Sequence, residues 1–256
     1  MASNFSCIGF PVASGDDFVT LAEQVASIAT PVEAKAGTYL RWSPPTGEEL
    51  WLQVDRGNHL RGMNPHFRGR SSMRVRVDER IRRDDHTVLD GAFHAFAMPE
   101  GDGEEAQLYP FVFDAPDADV HASLALPATV LVQLAAFASQ AECFPSPEAF
   151  AASPRGGRFA SKAFIPSGLF SMDGETLDAP RAYVILIGHV LESATLENHL
   201  THLPYHWALL ETHGGMLDVV IDPALLPEVP PQGGVMMGSF WLSGRILGGE
   251  NEEADA

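Results

Sequence analysis

A chain of 256 residues with a formal net charge of −18 repels polyanions, so DNA, RNA and anionic membrane surfaces are poor partners for the molecule as a whole. Its 45% hydrophobic content can bury a core, in two small domains more readily than in one. Two cysteines, Cys7 and Cys143, exclude a disulfide framework and fit a reducing compartment. The start of the chain lacks a basic, apolar leader, and no run approaches the roughly 20 apolar residues of a membrane span. The expectation is a soluble, cytoplasmic protein without a membrane partner.

In chain order, Phe5–Val12 reads as a strand. Ser14-Gly15-Asp16-Asp17 then opens a helix, with a side-chain acceptor at the cap and acids at the positive end of the dipole. Phe18, Leu21, Ala22, Val25 and Ala29 keep helical spacing until Pro31. Tyr39–Trp42 and Leu50–Val54 read as strands joined by the turn Pro44-Pro45-Thr46-Gly47. Met73–Ile81 and Gly91–Met98 read as two more. This order, one strand, a helix and then strands over Phe5–Ala97, resembles the βαβββ unit of the vicinal oxygen chelate superfamily, which includes glyoxalases. The resemblance implies a metal held by His and Glu on a concave sheet, yet Cys7–Val12 holds no His, Asp or Glu. Glu49, His59, His66 and His94 remain as donors without ligand spacing, so no metal or other cofactor is assigned.

Glu100–Asp119 carries seven acids and no base; its first part reads as a solvated loop and its centre, Leu108–Phe113, as a short strand. Pro127 opens a nearly all-round apolar helix through Val130, Leu131, Leu134, Phe137, Ala138 and Ala141. Such a helix is covered by other layers or by a partner, a second copy of the chain or another protein. Ser146-Pro147-Glu148 starts a short helix, and Met172–Pro180 reads as a boundary.

Ala182–Leu191, bulged at Gly188, Tyr205–Thr212, Met216–Ile221, Val235–Met237 and Phe240–Leu247 form a run of five strands with glycines at the bends. A bulged first strand and a long link before the fourth resemble an OB-fold barrel. The resemblance implies a face for single-stranded nucleic acid, but two bases against six acids between Arg181 and Leu247 oppose it. The fold class expected is α+β with an OB-like barrel: an α+β domain over 1–178, the barrel over 179–249 and an acidic tail over 250–256.

Chemistry is sparse. Nine of the sixteen basic residues lie between Arg56 and Arg83 with only two acids, a local charge of +7 against −25 elsewhere. The two-residue period of a strand puts Arg74, Arg76, Arg80 and Arg82 on one face, able to clamp a carboxylate or phosphate. Pairing with the protein's own acids is the competing reading. Five of the ten histidines lie between His189 and His213, without a metal-ligand pattern. No Gly-x-Ser-x-Gly elbow, phosphate loop or dinucleotide fingerprint occurs. Tyr205, Trp207 and Trp241 either pack a core or meet a ligand or partner. The leading expectation is a non-catalytic binding protein for a small anionic ligand or an acidic protein surface, with a homo-oligomer as one way to cover the apolar helix. A chelate-type metalloenzyme and a single-strand nucleic-acid binder are the alternatives.

Overall fold

The computed structural model describes residues 3–98, 108–169 and 179–247; the first part of the acidic 100–119 segment, most of the 172–180 boundary and the 250–256 tail lie outside them. Among the described residues the chain is 48% strand and 9% helix, which corrects the α+β expectation to a mostly-β architecture. A short 3-10 turn, Ser6–Ile8, stands where the first strand was expected. Gly9 ends it at φ +81°, a left-handed conformation that glycine adopts without strain. The helix α1 (Gly15–Ala26) begins on a capping box. The Ser14 hydroxyl accepts from the Asp17 N–H, and the Asp17 carboxylate accepts from the Ser14 N–H. Ser14→Ala should cost about 1 kcal/mol in a thermal or urea melt.

A four-stranded antiparallel meander follows: β1 (Thr30–Glu33), β2 (Gly37–Trp42), β3 (Glu48–Asp55) and β4 (Leu60–Phe67). Among the described residues no strand precedes α1, so the βαβββ order is not found there. One face of the meander is apolar. Trp42, Leu50, Leu52, Met63 and Phe67 share a core with α1 and with Ile8 and Phe10. The other face carries Glu49, Trp51, Gln53, Asn64 and His66.

The second sheet has nine strands: β5 (Met73–Ile81), β6 (Ala92–Ala97), β7 (Pro110–Asp114), β8 (Ala128–Phe144), β9 (Ala163–Pro166), β10 (Tyr183–Glu197), β11 (Pro204–Thr212), β12 (Gly215–Ile221) and β13 (Val235–Ile246). A short helix, α2 (Pro147–Ala152), lies between β8 and β9. Two sets of four strands, β5–β8 and β10–β13, repeat one pairing plan. In each set the first strand pairs antiparallel with the second and the fourth, and the second pairs antiparallel with the third. The third strand then runs parallel to the fourth strand of the other set: β7 along β13, β12 along β8. β8 and β13 pair with each other from Phe144–Val235 to Val132–Ile246. Two five-membered strand rings therefore close around a shared β8–β13 ribbon, and both fill one apolar core that includes Val75, Phe93, Phe113, Leu134, Leu186, Leu210, Val219 and Leu242.

Two further expectations are corrected here. The segment expected as a helix from Pro127 is the strand β8. Val132–Ala138 is buried without interruption, because even-numbered side chains face the ring core while Ala135 and Phe137 face the meander side. A strand covered on both faces shows no alternation, and a run of seventeen residues then reads as helix by length. Val132–Ala138 is covered within its own chain, so that stretch does not call for a second copy, while Leu131 before it is half exposed. The C-terminal strands likewise do not close a barrel by themselves. The stretches before and after Ser239 are one strand, β13, with a register shift at Ser239–Phe240 that leaves Ser139 unpaired on β8. The fifth place in that ring is taken by β8.

Candidate functional site

The polar face of the meander meets the outward residues of β8 and β13, and their hydrogen bonds are buried. Glu49 is fully buried. Its Oε1 accepts from Arg41 Nη2 at 2.6 Å and from the Ser43 hydroxyl at 2.6 Å, and its Oε2 accepts from Trp51 Nε1 at 2.8 Å. His66 lies between Ser243 Oγ on Nδ1 and Gln133 Oε1 on Nε2, both at 2.8 Å. Arg245 donates to Asp117 Oδ2 at 3.1 Å and stacks over Trp51 at 4.9 Å. Burial pushes the Glu49 carboxyl up, but His66, Arg245 and Arg41 outweigh it and hold the group below its ordinary value. Burial drives His66 down to about 4. The Ser243–His66 contact looks like a nucleophile and base, but an imidazole this hard to protonate is a poor base near neutrality, and its far nitrogen meets an amide, not a carboxylate. The contact reads as a structural tie.

Two clefts open along this seam. The first, of about 570 Å³, lies where β5 ends and β6 begins. Its floor is apolar, formed by Ile81, Ala92, Phe93 and Ala118. Lys35, Arg56, Arg80 and Arg82 stand around it with Asp90 and Asp119. Both acids are engaged by uncharged donors. Asp119 accepts from the Ala36 N–H, and Asp90 accepts from Gln53, Asn64 and the Thr87 N–H. Burial raises the Asp90 carboxyl, but the bonds from Asn64, Thr87 and Gln53 prevail and keep it below its ordinary value, hence ionised. The arginines are held by backbone oxygens: Arg80 by His121 O at 2.6 Å and Leu124 O at 2.7 Å, Arg82 by Asp90 O at 2.7 Å, and Arg56 by Lys35 O at 2.6 Å. Carbonyls orient a guanidinium without neutralising it, so the cleft keeps a positive excess inside an acidic molecule.

Of the four arginines expected on one face of β5, the structure brings two, Arg80 and Arg82, into this cleft. Arg76 pairs with Asp78 at 2.8 Å, and Arg74 is exposed beside β8. A register shift between Val77 and Glu79 breaks the two-residue period and sets Arg80 opposite Phe93, on the side of the Val77–Ala95 pair. Arg80 lies over the Phe93 ring at 5.8 Å. Lys35 and Arg56 join from the meander. The charge excess over Arg56–Arg83 contained Arg56, while no linear signal pointed to Lys35.

The three aromatic candidates belong to or pack against one buried cluster under the meander, and only Trp241 also reaches a cleft. Tyr205 is fully buried and donates to Glu48 Oε2 at 2.9 Å. Trp207, also buried, donates to Asp218 Oδ1 at 2.8 Å beneath the Arg70 guanidinium. Both pack under the meander. Trp241 is half-buried against Phe137, donates to Asp114 Oδ2 at 2.6 Å, and lines the second cleft. Among the described residues no three His, Cys, Asp or Glu side chains converge as a cation site, and no helix is long and apolar enough to cross a membrane. Compared with protein-family models, with curated proteins and with solved structures, the chain matches none.

Proposed function

We propose that this is a binding protein whose first cleft takes a small organic anion: a carboxylate, sulfonate or phosphate group on an apolar body. The observation that supports this most is four cationic side chains around an apolar floor in a chain of net charge −18. The anionic group would meet Arg80, Arg82, Arg56 and Lys35, and the body would cover Phe93 and Ile81. The volume of about 570 Å³ lies within the range of small-molecule sites. A concave floor favours a small ligand over a flat acidic protein surface. The unpaired Cys7 and Cys143 support a cytoplasmic setting.

Calorimetric titration with 2-naphthoate, against neutral 2-naphthamide as control, tests this reading. Saturable binding of the acid alone is expected, weakened about tenfold by Arg82→Ala and reduced by added salt. Equal binding of acid and amide, or wild-type affinity in a folded Arg82→Glu variant, would sink it.

A further inference from the structure

We propose that the first cleft is built for a ligand with two anionic groups on one apolar body, a dicarboxylate in chemical class, with Arg80 and Arg82 holding one group and Lys35 and Arg56 the other. This rests on the reading of that cleft as an anion site and narrows its ligand from one charged group to two.

The lining carries four cationic side chains and two carboxylates, Asp90 and Asp119, a formal excess of two positive charges. Among the described residues none of the four cations is ion-paired, and both carboxylates are engaged by uncharged donors. A single carboxylate would leave half of that excess unanswered. The cations also come as two pairs from two sheets. Arg80 and Arg82 stand at the end of β5. Lys35, in the turn between β1 and β2, and Arg56, just past β3, belong to the meander and are tied together by the bond from Arg56 Nη2 to Lys35 O at 2.6 Å. Two carboxylates joined by an apolar body can meet both pairs while the body covers Ile81 and Phe93, and each guanidinium matches the geometry of carboxylate oxygens.

The repeated plan of the large sheet separates charge that the fold needs from charge that it does not. The register shift of β5 between Val77 and Glu79 has its counterpart in β10 between Val190 and Glu192, with Ala95 opposite Val77 and Leu210 opposite Val190. In that match Arg80, opposite Phe93, falls on Ser193, opposite Ala208, and Arg82, just past its strand, falls on Thr195. Ser193 Oγ donates to Pro230 O after β12 at 2.6 Å, as Arg80 Nη2 donates to Leu124 O after β7 at 2.7 Å. A hydroxyl thus serves the corresponding segment without bringing a charge. Ala92, opposite Ile81, falls on Trp207, a buried side chain that packs under the meander. The second half is uncharged at these positions, and it carries a bulky ring where the first half has a methyl group beside an open cleft.

The test is a calorimetric titration of the full chain with naphthalene-2,6-dicarboxylate, 2-naphthoate and 2-naphthyl phosphate at matched ionic strength and about pH 8, where the phosphate is doubly charged. The dicarboxylate is expected to bind about tenfold more tightly than the monoacid, with an advantage that shrinks in added salt. Arg56→Ala should cost the dicarboxylate about tenfold more than it costs the monoacid, which brings the two affinities together. Arg56 is exposed, so this variant should keep the wild-type circular dichroism and melting transition. Binding of the monoacid with no gain for the dicarboxylate overturns the two-group proposal and leaves the anion reading of the cleft standing. Binding of neither acid overturns both. A naphthyl phosphate that binds more tightly than the dicarboxylate would place both charges on one group and overturn the proposal, as does a dicarboxylate gain that survives in folded Arg56→Ala. Should that variant fail to fold, Lys35→Gln decides by the same comparison.

Discussion

Arg245→Ala should unfold in urea with a stability about 3–5 kcal/mol below the wild type, because it strands buried carboxylates without their countercharge. Arg245 is 7% exposed, and Asp117 and Glu49 are 3% and 0% exposed. Burial raises the Asp117 carboxyl, but the His121 hydrogen bond and the Arg245 charge overcome it and hold the group below its ordinary value. Removing the guanidinium reverses that balance. Asp117 must then be protonated or draw water into the seam, and Trp51 loses one of the two guanidiniums stacked on it, at 4.9 Å from Arg245 and 5.2 Å from Arg41. In a protein of this length a loss of this size lowers Tm by roughly 10 °C. A double-mutant cycle separates charge from packing. Arg245→Met with Asp117→Asn should cost clearly less than the two single changes added together. Additivity would show that the pair contributes no coupling.

The second large effect is on acid stability. His66 is fully buried and its folded-state pKa is about 4, against an ordinary 6.5. The folded state therefore binds fewer protons than the unfolded chain between these values. Stability is intact above pH 6.5 and falls as the pH drops toward 4, by on the order of 3 kcal/mol in all. Glu49 and Asp117 act in a lower window. Their folded values lie below the ordinary 4.5 and 3.8, so their contribution is present above those values and lost as the pH falls further. Urea midpoints across pH should thus decline in two stages. His66→Gln should shrink the first stage to the smaller part contributed by His86 and His206, which burial also holds below their ordinary value, and leave the second, since a neutral amide can still bridge Ser243 and Gln133. A first stage of undiminished size in that variant would assign it to His86 and His206 instead.

Much of the local structure was legible in the chain. Ser14 and Asp17 announce α1 by capping chemistry, Ser146-Pro147-Glu148 announces α2, and the alternation Met73, Val75, Val77 announces β5. These signals work because they depend on neighbours a few residues away. β8 was misread for the opposite reason. Its two faces are covered by strands and loops distant in the sequence, so the pattern that distinguishes strand from helix is erased. The repeated four-strand plan was equally invisible, since loops of different length separate its strands and only pairing across the molecule reveals it.

The candidate site divides along the same line. Composition alone established an acidic molecule with a single arginine-rich stretch, and the first cleft draws three of its four cations from it, Arg56, Arg80 and Arg82. Which arginines converge was decided by a one-residue shift of register in β5 and by the meander that carries Arg56 and Lys35 alongside. Charge sums over residues whatever their arrangement, so the sequence determines it. A site needs side chains to meet in space, and here strand pairing between distant segments made that choice.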